Sequence, residues 1–169
     1  MSTGPLPISS ALALAPGGSP SVWEDVRLQK LWLATQRRDW RSLAVIAASK
    51  GLDTLPIAEM LAHIAWAYRG QPSCVFDLRD LGLRLAEYQV REIQSQAEAG
   101  VRVLIALRST AENPTTIPVA HEADAVVLCV DLGATTFKTA ERTIAEIGRD
   151  KILGSIVLRK RPAPKASEK

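Results

Sequence analysis

The stretch Leu43 to Ala62, LAVIAASKGLDTLPIAEMLA, constrains the fold more than any other part of the chain. It reads as a short apolar strand, a tight turn containing Gly51, and the opening of an amphipathic helix. A strand without polar alternation has to be covered on both faces, as in a parallel sheet. Such sheets bind ligands outside the carboxyl ends of their strands, so the loop after Ala48 lies where a site is expected. A phosphate-binding loop here would read G-x-x-x-x-G-K-[ST]. Backbone N–H groups and a lysine would hold the phosphates, and a hydroxyl would hold Mg²⁺. The residues present are Ser49-Lys50-Gly51-Leu52-Asp53-Thr54-Leu55-Pro56. The scaffold of a phosphate loop is there and its chemistry is missing.

The rest of the chain alternates strand and helix patterns. A first helix is expected from Ser21 to about Arg38, with Ser21 and Glu24 as a capping box. Val22, Val26 and Leu33 fall on one side of it, and Leu28, Leu31 and Trp32 on another. Two apolar sides imply cover from more than its own domain. Leu43–Ala48 is the first strand. The next helix runs to about Tyr68, with Pro56 in its first turn and Gly70 closing it. Strands follow at Ser73–Asp77, Val101–Leu107, Asp124–Asp131 and Ile152–Leu158. Between them lie a helix over Leu83–Ala99, a long loop with a short helical turn over Arg108–Glu122, and a helix over Thr135–Ile147. The last is expected to turn Phe137, Ala140, Ile144 and Ile147 inward. The alternation predicts an α/β fold: a three-layer, doubly wound, mostly parallel sheet with right-handed crossovers.

Charge divides the chain further. Residues 1–20 carry no charge and are rich in Pro, Gly and Ser, so they are expected to be disordered. The last eleven residues, 159–169, carry five basic side chains and one Glu, or +4 against a whole-chain +3. The remainder is therefore −1, and the high pI belongs to a basic, disordered tail. One domain over 21–158 is expected between the two tails. Clustered Lys and Arg on the fold itself, the mark of a nucleic-acid partner, are not seen. No apolar run approaches the roughly 20 residues of a membrane span, so a cytoplasmic location is expected. Cys74 and Cys129 each sit in an apolar strand, where a thiol packs as a small hydrophobe.

Other constellations yield no catalytic or metal set. Glu59 and His63 are four apart on a helix, and His121-Glu122-x-Asp124 lies at a loop–strand junction, without companion ligands for a metal. Asp131 ends a strand two residues before Gly133 and suits a turn. Trp23, Trp32 and Trp40 flank the first helix, where core packing explains them.

The succession VWEDVRLQKLW, the stretch 43–62, GQPSCVFD, ADAVVLCVDLG and ILGSIVL resembles the catalytic domain of bacterial tyrosine kinases (BY-kinases) of the Wzc/CpsD type. That domain is a relative of the MinD/ParA deviant P-loop ATPases, and the resemblance covers about residues 22–158. It implies a P-loop NTPase-like fold. It also implies self-association through an E-x-x-R-x-x-R motif, matched here by Glu24, Arg27 and Lys30 with lysine in the last place. Lysine keeps the charge and loses the planar fork.

The nucleotide elements depart from the family pattern. Asp53, Thr54 and Leu55 stand where Gly, Lys and Ser/Thr belong. Lys50, Gly51, Thr54 and Asp77 remain as relics of the nucleotide site, Asp77 matching the first aspartate of the second acidic motif. The strand that should end in a metal-binding Asp runs into Arg108-Ser109-Thr110, and the C-terminal tyrosine cluster is absent. Phosphoryl transfer depends on positioning and on neutralisation by cations. These losses imply a pseudo-kinase or pseudo-ATPase without ATP or Mg²⁺ as cofactor. Its expected partners are itself, a BY-kinase or the cytoplasmic segment of a polysaccharide co-polymerase, in exopolysaccharide or capsule export. Peripheral association with the inner face of the membrane would come through that partner. The alternatives are a divergent nucleotide-binding ATPase or kinase, and a MinD/ParA-like positioning protein.

Overall fold

A computed structural model describes residues 26–159, with the side chains of Arg27 and Leu28 excepted. The expected capping box with Glu24, the segment 1–20 and the basic tail beyond Arg159 lie outside the described residues. Ten regular elements follow in order: α1 (Val26–Thr35), β1 (Ser42–Ala47), α2 (Leu55–Arg69), β2 (Ser73–Asp77), α3 (Ala86–Glu98), β3 (Arg102–Leu107), α4 (Thr116–Glu122), β4 (Ala125–Asp131), α5 (Phe137–Ile147) and β5 (Ile152–Leu158). Single 3₁₀ turns at Leu83–Leu85 and Arg149–Lys151 lead into α3 and β5.

The five strands form one sheet in the order β2-β3-β1-β4-β5, and every pairing is parallel. All six residues of β1 are buried, as a central strand covered on both faces requires. Alternation along the strands then builds two cores. Leu43, Val45, Val75, Leu104, Ala106, Val127 and Cys129 face α1 and α2, while Ala44, Ile46, Phe76, Val103, Ile105 and Val126 lie in the core that holds Ile93 of α3, Val119 of α4 and Ile147 of α5. This is the expected three-layer arrangement.

Trp32 and Trp40 anchor α1 to the sheet. Both are almost fully buried, their rings meet edge to face at 6.1 Å, and the Trp40 Nε1 donates to the Thr35 carbonyl at 3.0 Å. The Arg102 guanidinium stacks 4.4 Å from the Trp40 ring. The second apolar side of α1 is not covered by the described residues: Val26 and Leu33 are each more than half exposed. Helix α2 begins where Pro56 suits a first turn and ends at Gly70, whose φ of 60° is the left-handed conformation that closes helices.

Two expectations need correction. Phe137 is 81% exposed. It is the first residue of α5, and Thr136 caps that helix by accepting the Thr139 N–H at 3.2 Å. The first turn therefore lies beyond the sheet, and Thr143 and Ile147 make the buried contact. The long loop after β3 also contains more than a turn. Seven residues of it form α4, with Pro118 in the first turn where its missing N–H costs nothing.

Candidate crevice at the carboxyl ends of the strands

From β1 the chain passes outward to β2, returns to β3 beside β1, and then crosses to β4 on the other side. Beta1 is thus the strand at which the order reverses, and its following loop opens into the crevice characteristic of doubly wound sheets. That loop, 48–54, is pinned at both ends. The Ala48 N–H donates to the Cys129 carbonyl at 2.8 Å, and the Thr54 hydroxyl donates to the Leu107 carbonyl at 2.8 Å. Thr54 is completely buried. Its hydroxyl proton satisfies the end of β3, and the side chain is closed off from the crevice by burial. Gly51 turns the loop with a φ of 79°, a conformation that glycine adopts without strain.

Four loops meet here, joined by internal pairs. Arg79, just beyond β2, holds Asp77 in a two-pronged ion pair: Nε to Oδ1 at 2.7 Å and Nη2 to Oδ2 at 2.8 Å. Its remaining Nη1 reaches Asp53 Oδ1 at 2.7 Å. The same Asp53 oxygen accepts the Leu55 N–H at 3.1 Å, placing a carboxylate at the positive end of α2. Arg108, just beyond β3, pairs with Asp80 at 2.9 Å. Glu112 closes the arrangement: its Oε1 accepts the Gly51 N–H at 3.0 Å and its Oε2 the Ser109 hydroxyl at 2.8 Å. On the far side, the Ser49 and Thr135 hydroxyls share a 2.7 Å bond, and Thr135 also accepts the Asp131 N–H.

The pairing sets the protonation states. The Arg79 side chain holds the Asp77 carboxyl below its ordinary value, and Asp77 in turn raises Arg79. Burial pushes Glu112 up, but the bonds from Gly51 and Ser109 outweigh it and leave the carboxyl below its ordinary range. The two buried thiols go the other way: burial raises Cys74 to about 11 and Cys129 to about 12, so neither is a nucleophile at neutral pH.

Lys50, Gly51, Thr54 and Asp77 all lie on β1, β2 or the loop between β1 and α2, as expected. Lys50 is exposed. Lys30 is exposed on α1, remote in sequence from the crevice, and only the backbone of Arg27 is described. Asp131 does initiate a turn, its carbonyl accepting the Ala134 and Thr135 N–H groups at 3.1 and 2.9 Å. Sequence reasoning missed Glu112, which lies in a stretch read as a loop and 61 residues from its Gly51 partner.

Strand order and loop position are those of a doubly wound, parallel α/β fold. No protein-family model matches the chain, and no curated protein matches it. Among solved structures it is similar to the kinase domain of the Escherichia coli tyrosine kinase ETK, at 13% identity and a TM-score of 0.44. That match covers 90% of this chain and 69% of the other.

Proposed function

We infer that the chain is a non-catalytic relative of the BY-kinases, a pseudo-kinase or pseudo-ATPase that works by contacting proteins. The supporting observation is the Arg79 bridge between Asp77 and Asp53. The guanidinium that faces the loop from the end of β2 is committed to two carboxylates of the chain itself. A Mg²⁺-bound triphosphate in the same place would need that cation free, and would meet Asp53 and Glu112 as like charges. The Thr54 hydroxyl, which could join the metal, is completely buried against the β3 carbonyl of Leu107. The residues present do not suit a Mg²⁺-bound triphosphate.

Its place is exopolysaccharide or capsule export, as the resemblance implies. The partners are a second copy, a BY-kinase, or the cytoplasmic segment of a polysaccharide co-polymerase, which would bring it to the inner face of the membrane. Glu24, Arg27 and Lys30 are the docking residues, and Lys30 is exposed as that role requires. Sedimentation of the Glu24→Ala/Arg27→Ala variant tests the docking. Loss of self-association or partner binding is the expected result, and unchanged association removes the assignment.

One observation favours a second reading, a divergent ATPase or kinase. Lys50 stands exposed in the loop, one residue before Gly51, available to an incoming phosphate. Under that reading Lys50→Ala abolishes nucleotide binding.

A further inference from the structure

Glu112 brings together two loops that the chain keeps far apart. Gly51, after β1, donates its N–H to one carboxylate oxygen; Ser109, after β3, donates its hydroxyl to the other. The Arg108 Nη1 stands 3.9 Å from the oxygen that Gly51 holds. The Glu112 side chain is only 20% exposed, so the carboxylate is seated among these donors and not left in solvent. One backbone N–H, one hydroxyl and one guanidinium converging on a single anion make a small oxyanion cradle.

We propose that Glu112 is a built-in ligand: its carboxylate fills an oxyanion site formed by the Gly51 N–H, the Ser109 hydroxyl and the Arg108 guanidinium, and without it that site takes inorganic phosphate. This rests on the functional reading above, in which the loop holds no external triphosphate. Asp53 and Asp77 share Arg79, and Asp80 pairs with Arg108 at the surface. Removing the Glu112 charge relieves the net negative charge of the crevice and leaves an open N–H and hydroxyl beside Arg108 and Lys50. A tetrahedral oxyanion is then the natural replacement. Because the carboxylate is tethered and the phosphate is not, the native chain ignores phosphate at concentrations the variant responds to.

The test compares the native chain with Glu112→Ala and Glu112→Ser in thermal unfolding, in chloride and in inorganic phosphate at matched ionic strength. The Gly51 amide is followed by NMR in the same samples. Phosphate at about ten times its dissociation constant should raise the midpoint of the alanine variant by about 4 °C. The native chain should be unmoved. The Gly51 resonance should shift on phosphate addition in both variants only, so the serine form, whose short side chain also vacates the site, decides the matter if the alanine form does not fold. Equal phosphate responses in all three chains would overturn the proposal, as would variants in which phosphate leaves Gly51 unmoved. Binding of ATP with Mg²⁺ by the native chain would instead contradict the functional reading; variants indifferent to phosphate contradict the built-in ligand alone.

Discussion

The Arg79 guanidinium grips the Asp77 carboxylate with two parallel bonds of 2.7 and 2.8 Å, two residues apart in sequence, at the open end of β2. Its free edge then spans to Asp53, 26 residues away, on the loop that follows β1. Sequence-local geometry thus makes the fork, and tertiary geometry gives it a second carboxylate to hold.

Arg79→Ala leaves Asp53 and Asp77 facing a common space with no cation between them. Asp53 is more than half exposed, so the loss is modest: about 1 kcal/mol, or roughly 3 °C in midpoint. Arg79→Lys restores the charge without the planar fork and should recover less than half of that. Thermal melts of the three chains check the order. An alanine variant as stable as the native chain would show that the bridge contributes nothing.

Acid should loosen the crevice first. Asp77 and Glu112 are both held below their ordinary values, 3.8 and 4.5, so the folded state binds fewer protons than the unfolded one. Their stabilisation is complete above the unfolded values and is lost as pH falls through the lower folded ones. The urea midpoint should be flat from pH 7 to about 5 and fall below about pH 4. The Asp77→Asn/Glu112→Gln variant should start lower and descend less steeply; parallel curves would contradict the assignment.

Trp32 carries the attachment of α1. It is 1% exposed and meets Trp40 edge to face. Trp32→Ala should cost about 3–5 kcal/mol and remove the aromatic circular dichroism that the pair produces. Lys30→Ala on the same helix, at an exposed position, should stay within about 0.5 kcal/mol. A variant lacking Trp32 that kept the native midpoint would show that α1 is not part of the core.

Phe137 is the opposite case. Its ring is 81% exposed, so Phe137→Ser should leave the midpoint within about 1 °C of the native one. A drop of several degrees would place the ring in a core instead. Helical periodicity alone assigned it inward, because a stripe of apolar residues does not record where the sheet beneath it ends.

Where local pattern suffices, the chain was legible. Strands β2 and β5 fall on the expected residues, since short apolar runs bounded by Gly, Pro and Asp can be little else. The helix after β1 starts within a residue of Pro56 for the same reason. Helix α4 was legible only as a turn, because Pro114 and Pro118 mask seven residues of regular structure. Of the crevice, Gly51, Thr54 and Asp77 could be placed from the strand–loop–helix pattern. Glu112 could not: a carboxylate in a proline-bearing loop carries no local mark of the N–H it will meet 61 residues away. Nor could the direction of the Thr54 hydroxyl, which depends on β3 lying beside β1.

The crevice is proposed to be filled by the chain's own charges, leaving no place for a triphosphate. Isothermal titration of the native protein with ATP in the presence of Mg²⁺ tests that most directly. The expected result is no saturable heat up to millimolar nucleotide. Micromolar, Mg²⁺-dependent binding that Lys50→Ala abolishes would contradict it.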